Sequence, residues 1–114
     1  MQRLGMGQAL NQALREEMRR DPGVFIAGEG VGVSIHPSPM FPTHGLLEEF
    51  GPKRVRDTPV SEAAIAGLAV GAAEAGLRPV VEIMFNPFFT LASDMIVNHA
   101  AKLRYMSGGK STFP

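Results

Sequence analysis

Apolar residues recur along the chain at spacings that alternate between those of a helix and those of a strand. Over residues 6–18 they recur every three or four positions, with charged residues opposite, which predicts an amphipathic helix. A continuous apolar run over residues 24–27 follows and is typical of a strand buried in a parallel sheet. A short helix at residues 46–50 then precedes residues 55–57, which the nearby proline favours as an extended segment.

The second half of the chain continues the alternation. Residues 62–75 are rich in good helix formers, with Ser61 as the expected N-cap and Gly76 as the expected C-cap. Residues 80–84 predict a strand, and an Asn-Pro pair opens a long helix predicted over about residues 86–106. This order of elements predicts an α/β domain in which a parallel sheet is flanked by helices.

One face of the helix predicted at residues 62–75 carries almost no side chain, because small residues recur on it every four positions. Such a stripe lets another backbone approach closely, and other apolar residues lie on a different face. We therefore expect this helix to be covered by protein on several sides. The stripe consists of Ala63, Gly67, Gly71 and Ala75.

The composition of the chain disfavours or excludes several classes of function. The 114 residues suffice for one domain or part of one, and eleven basic residues balance eleven acidic ones, so no charge excess favours nucleic acid or anionic lipid as a partner. The absence of cysteine excludes disulfides, thiolate catalysis and cysteine zinc sites, and is compatible with the cytoplasm, the expected location. The longest uncharged run is well below the roughly 20 residues of a membrane helix, which predicts a soluble protein.

Most sequence motifs that could indicate a function give only a weak signal. The glycine-rich segment at residues 28–33 follows a strand but precedes no helix, so it meets no nucleotide fingerprint and predicts a turn. The three histidines, His36, His44 and His99, are scattered, and no metal site is expected in this chain.

Glu62 is the remaining candidate, and two interpretations of it stay open. A carboxylate in the first turn of a helix gains about 0.3–1 kcal/mol from the helix dipole, and this purely structural role is the commoner one. Alternatively, the carboxylate is held out of solvent and needs a donor, such as the ring nitrogen of a ligand. The pattern alone does not choose between the two.

Four longer segments closely resemble the beginning of a known family, the beta subunit of the decarboxylating component of 2-oxoacid dehydrogenases. Pyruvate, branched-chain and acetoin dehydrogenases share this subunit. The resemblance extends over nearly all of residues 6–109. The segments are ALNQALREEMRRDP, GEGVG, GLLEEFGPKRVRDTPVSEAAIAGLAVGAAEAGLRPVVEIMF and NHAAKLRYMSGG.

The resemblance implies a transketolase-like fold that binds thiamine diphosphate. In that family the enzyme is an α2β2 heterotetramer, the alpha subunit holds magnesium, and the first domain of the beta subunit binds the aminopyrimidine of the cofactor. Residues 1–114 would then be the N-terminal part of this pyrimidine-binding domain, with the rest of it and the C-terminal domain absent.

Four site residues follow from the resemblance. It implies that Glu62 hydrogen-bonds a pyrimidine ring nitrogen, which stabilises the protonated ring and allows the exocyclic nitrogen to take the thiazolium proton. Met84 and Phe88 match residues that pack on the pyrimidine ring, and Glu29 matches an acidic residue near the cofactor. Gly30 departs from the family, which usually has an acid there, and the loop that follows implies a differently shaped active-site entrance.

The implied reaction is oxidative decarboxylation of a 2-oxo acid with acyl transfer to the lipoyl group of an acyltransferase component. Alone, the chain is expected to be inactive. The alternative is a non-catalytic assembly module that self-associates or binds a partner subunit through the helices at residues 62–75 and 88–106. Oligomerisation is expected under both hypotheses, since large exposed apolar faces are uncommon in monomers.

Overall fold

A computed structural model describes residues 4–33 and 38–112 of the chain. His36 therefore lies outside the described residues. The elements in chain order are α1 (Met6–Arg20), β1 (Val24–Gly28), α2 (Leu46–Phe50), β2 (Val55–Asp57), α3 (Glu62–Glu74), β3 (Arg78–Glu82), a 3₁₀ turn (Asn86–Phe88), α4 (Phe89–Asp94), a π-helical segment (Met95–Ala100) and α5 (Leu103–Met106).

The three strands form one parallel sheet in the order β2-β1-β3, which confirms the predicted fold class. The central strand, β1, is buried at all five positions because it has a neighbour on each edge and helices on its faces. Successive side chains alternate between the two faces of the sheet. Val24 and Ile26 face α1 and α2, and they share this face with Val80 of β3.

The hydrophobic core lies between the sheet and the first two helices. Six apolar side chains form it, and half-buried residues of α1 and α2 pack around them. Helix α1 contributes only its C-terminal half, since Met6 and Leu10 of the predicted apolar stripe are exposed. The core residues are Met18, Val24, Ile26, Val31, Leu46 and Val55.

The N-terminal half of α1 instead holds the loop of residues 38–45 through polar groups. The Asn11 amide nitrogen donates to the carbonyl oxygens of Pro42, at 2.7 Å, and His44, at 2.9 Å. The backbone of Gly7 approaches the Met40 carbonyl so closely that a Cβ there would lie 1.8 Å from its oxygen. This face of α1 therefore recognises backbone rather than side chains.

Helix α3 ends as predicted. Gly76 has φ of +88°, and its N–H donates to the Ala73 carbonyl while the Leu77 N–H donates to Ala72. This pair of bonds is the Schellman arrangement, which favours glycine at the left-handed position. The next strand, β3, begins two residues earlier than predicted and ends at Glu82, because its register against β1 runs out at Gly28.

The long helix predicted at residues 86–106 is wrong as a single element. This segment begins with a 3₁₀ turn at Asn86–Phe88 and continues as the α-helix α4. It then widens to a π-helix over Met95–Ala100 and breaks at residues 101–102 before α5. The Thr90 and Ser93 hydroxyls donate back to carbonyls three and four residues earlier, a competition that bends helices. A π segment holds an extra residue in its turn and shifts the apolar stripe off a single line.

The expected cover over α3 is found only in part among the described residues, because most of its small-residue stripe is exposed. Of the two glycines in the small-residue stripe, Gly67 lies near the Met95 sulfur, which would be 3.4 Å from an added Cβ, and Gly71 has no such neighbour within 4 Å. Ala63, Gly71 and Ala75 are exposed. The helix packs on β3, on α4 and on the π-helical segment at Met95–Ala100. None of the helices in the described parts of the chain is long and apolar enough to cross a membrane.

Candidate functional site at the carboxyl edge of the sheet

The three parallel strands end together. Gly28 of β1 is in register with Asp57 of β2 and with Glu82 of β3, so their carboxyl ends meet at one edge. In open α/β sheets, ligands bind outside this edge. Glu29 follows Gly28 directly, and Met84 lies two residues beyond β3. Topology thus brings three of the four predicted site residues, Glu29, Glu62 and Met84, to the same edge.

Glu62 is the first residue of α3 and lies just beyond the end of β2. It is only 7% exposed, although most glutamates lie at the surface. Within residues 4–33 and 38–112 its carboxylate has no hydrogen bond and no ion pair. Neither oxygen is sealed inside the protein. The side chain is thus packed along its length with its charged end unpaired.

Thr58, on the same segment, adds a second unpaired polar group. Its hydroxyl oxygen is buried without a partner in the described structure. Buried polar groups are nearly always hydrogen-bonded, and an unsatisfied one costs about 1–3 kcal/mol. Because the Thr58 hydroxyl is buried, the Glu62 carboxylate is the group of this pair that could accept a hydrogen bond from a ligand.

Glu29 lies half-buried on the turn of residues 29–33. The predicted turn is confirmed, and Gly30 takes φ of +67° within it, a conformation that other residues rarely adopt. The Asp57 carboxylate accepts the backbone N–H groups of Gly32, at 2.7 Å, and Val33, at 2.8 Å. The pattern along the chain indicated only that Asp57 is extended, so this contact was not predicted.

The two predicted apolar residues differ in their surroundings. Met84 is half-buried in the bend after β3. Phe88 is 42% exposed and closes the 3₁₀ turn, with its ring edge-on to Phe85 at a centroid distance of 5.7 Å and an interplanar angle of 89°. Phe88 therefore lies one turn away from the strand end, and its described ring contact is with Phe85.

A separate apolar groove of about 550 Å³ lies between α3, β3 and α4. None of the predicted site residues lines it, and every lining residue is apolar or proline. An aminopyrimidine needs hydrogen-bond partners, so this groove is unsuited to it. The groove is an uncovered part of the apolar interior on the α3 side of the sheet.

The described residues hold no group of three or more His, Asp or Glu side chains that could bind a metal ion. His44 is half-buried, and its carbonyl oxygen accepts from Asn11 and Arg15. His99 lies on the π-helical segment, 3.7 Å from an Asp94 oxygen. The chemistry available at the carboxyl edge is thus that of carboxylates and backbone groups.

The open parallel sheet flanked by helices defines the class as an α/β domain, and within its described residues the largely buried Glu62 carboxylate at the carboxyl edge has no partner. A comparison with protein families matches residues 2–114 to the transketolase pyrimidine-binding domain. The chain therefore belongs to that family, whose members are parts of thiamine-diphosphate-dependent enzymes, and membership implies thiamine diphosphate as the cofactor.

Comparison with individual curated proteins supports the same family assignment. The chain is 55% identical over 107 residues to the pyruvate dehydrogenase E1 component subunit beta of Rickettsia felis, covering 94% of this chain and 32% of the relative. It is 52% identical over 106 residues to the mitochondrial E1 subunit beta-1 of Arabidopsis thaliana, covering 93% and 29%. The acetoin:2,6-dichlorophenolindophenol oxidoreductase subunit beta of Bacillus subtilis is 41% identical over 121 residues, covering 97% and 35%.

These relatives are beta subunits of 2-oxoacid dehydrogenases and related enzymes, which confirms the resemblance seen in the sequence. The chain spans about a third of the length of the relatives it matches.

Proposed function

We propose that this chain forms the pyrimidine-binding part of a 2-oxoacid dehydrogenase beta subunit. It would act in the oxidative decarboxylation of a 2-oxo acid, with acyl transfer to a lipoyl group. The observation that carries the proposal is Glu62, a carboxylate that is 7% exposed and has no partner in the described structure. Family membership supports the same cofactor independently.

The residues present fit the aminopyrimidine. Glu62 has free acceptor oxygens at the edge of the sheet, and a protonated ring nitrogen is the donor that such a carboxylate lacks. When bound, thiamine diphosphate would supply a nucleophilic carbon and a cationic ring that serves as the electron sink for decarboxylation. Glu62 would hold a proton on the ring nitrogen, and its low exposure would strengthen that hydrogen bond.

The other three site residues have supporting roles in the proposal. Met84 would present an apolar side chain to one face of the pyrimidine, and Phe88 would extend this apolar wall. Glu29 would lie near the cofactor on the turn after β1. Their half-buried or partly exposed positions leave each side chain accessible to a ligand.

The assembly belongs to the same proposal. Residues 1–114 would be the N-terminal part of the pyrimidine-binding domain, and an alpha subunit would complete an α2β2 heterotetramer and hold magnesium. A lipoyl-bearing acyltransferase would receive the acyl group. A cytoplasmic location is proposed with it.

The test is the exchange of the thiazolium proton in a complete tetramer that carries Glu62→Gln. Loss of this contact should slow exchange by about 10²- to 10⁴-fold, the usual contribution of a positioned acid–base group. Glu74→Gln is the matched control, since Glu74 is exposed at the other end of the same helix. Exchange at the control rate in Glu62→Gln would overturn the proposal.

A second candidate function is assembly without catalysis. It is favoured by the exposed apolar side chains of the second half of the chain, among them Leu68, Val80, Phe89 and Leu91. Light scattering should then find an oligomer, and titration with thiamine diphosphate and magnesium should find no binding to the chain alone. A clean monomer would contradict the assembly role, and binding by the chain alone would favour a retained cofactor site.

A further inference from the structure

We propose that Asp57 is a positioning residue that sets the placement of Glu29 relative to Glu62. The inference rests on the proposed function, because it concerns the same site. Asp57 would act through the backbone of the turn at residues 29–33 and would not touch the cofactor itself.

Three hydrogen bonds join the end of β1 to the end of β2. The two Asp57 carboxylate oxygens each accept one backbone N–H, from Gly32 at 2.7 Å and from Val33 at 2.8 Å. The Thr58 N–H donates to the Gly28 carbonyl at 2.9 Å. These three bonds, here called the bracket, hold both ends of the turn at residues 29–33.

Both proposed cofactor contacts are attached to this bracket. Glu29 lies inside it, directly after Gly28, and Glu62 follows Thr58 by four residues. A displacement of the bracket therefore changes the separation of the two carboxylates. The bracket links them in space although 32 intervening residues separate Glu29 from Glu62 in sequence.

The turn needs such a restraint because its backbone is intrinsically free. Gly28, Gly30 and Gly32 alternate through it, and glycine loses more conformational freedom on folding than any other residue. Buried Val31 fixes the middle of the turn in the core, and Asp57 fixes its far end. Gly32 also lies close to Asp57, since an added Cβ would be 3.2 Å from a carboxylate oxygen.

Two acceptors are required, which distinguishes aspartate from its amide. Asparagine offers one acceptor oxygen, and its NH₂ group opposes the second backbone N–H. Asp57→Asn should therefore release one end of the bond pair, and Asp57→Ala should release both. The effect on the cofactor should increase in that order.

The experiment measures the dissociation constant of thiamine diphosphate, with magnesium present, for the assembled enzyme carrying each variant. Loss of a residue that orients direct ligands typically costs 10- to 100-fold, so we expect a rise of about 10-fold for Asp57→Asn and about 100-fold for Asp57→Ala. Glu48→Gln is the control, an exposed acid on α2 whose side chain has no hydrogen bond or ion pair in the described structure. Proton exchange at saturating cofactor should stay at the wild-type rate in the control Glu48→Gln.

The thermal midpoint of the cofactor-free enzyme separates positioning from stability. In Asp57→Asn it should match the control, so this variant decides the question if Asp57→Ala fails to fold. If Asp57→Asn binds thiamine diphosphate with the affinity of the control, the positioning role is overturned. Slow proton exchange in Glu62→Gln would still leave the proposed function standing. Unchanged exchange in Glu62→Gln would overturn both.

Discussion

The two halves of the molecule differ in how they bury apolar surface. All six core residues come from the first half, residues 6–57, where α1 and α2 cover one face of the sheet. In the second half, residues 62–106, the large apolar side chains are mostly exposed, including Leu68, Val80 and Leu91. The second half buries Ile65, Ala66 and Ala92, and the two alanines line a groove that stays open.

The same contrast holds for polar contacts between distant elements. In the first half, the Arg54 guanidinium donates to the carbonyls of Asp21, at 2.8 Å, and Val24, at 2.6 Å, and lies 5.4 Å from the centre of the Phe50 ring. Arg15 and Arg19 both pair with Glu49 across α1 and α2. In the described second half, most side-chain bonds join residues three or four positions apart, and the bond from Ser111 to Glu74 is an exception.

The difference suggests that packing in the first half provides most of the folding stability, whereas the second half mainly presents exposed apolar surface. The site lies where the two meet, because Asp57 ends the first half and Glu62 begins the second. A rigid support on one side and an open face on the other suits a site that receives a ligand between protein parts.

The largest expected effect tests the core of the first half. Leu46 is fully buried, so Leu46→Ala should lower the free energy of unfolding by about 2–5 kcal/mol through lost burial and a residual cavity. Leu68→Ala, the matched change in the second half, should cost less than about 1 kcal/mol because Leu68 is already 41% exposed. Urea unfolding of both variants makes the comparison, and equal losses would contradict it.

A smaller effect tests the open face of α3. An added Cβ at Gly71 would meet no atom within 4 Å, so Gly71→Ala should stabilise the chain by about 0.5–1 kcal/mol through helix propensity. Gly76→Ala is the control and should destabilise, because Gly76 has φ of +88°. Destabilisation by Gly71→Ala in the isolated chain would mean that this face is already covered.

Local patterns predicted the elements that depend on neighbours in sequence. The periodicity of α1, the apolar run of β1 and the glycine after α3 each reflect backbone preferences that act within a few residues. The failure at residues 86–106 came from polar groups that the apolar pattern does not reflect. The apolar stripe of residues 86–106 indicated one helix, but hydroxyl groups within it and the break at residues 101–102 divide it.

The site was predictable to a similar extent. The position of Glu62 at a helix start followed from the residues around it, and its proposed role followed from the family resemblance. Its burial could not be inferred, because it depends on how α3 packs on the sheet. The hydrogen bonds that the Asp57 carboxylate accepts from Gly32 and Val33 join residues 25 and 24 positions apart, and no local pattern predicts them.

The most direct test of the central claim is the sign of the stability change in Glu62→Gln, measured by urea unfolding without cofactor. A carboxylate packed against protein and left unpaired loses part of its solvation, and we expect this cost to exceed the roughly 0.3–1 kcal/mol gained from the helix dipole. The neutral, equally shaped amide is cheaper to bury, so we expect the free energy of unfolding to rise by about 1 kcal/mol. Glu74→Gln should change it by less than about 0.5 kcal/mol. A decrease in Glu62→Gln would show that Glu62 serves the helix, and would contradict the account.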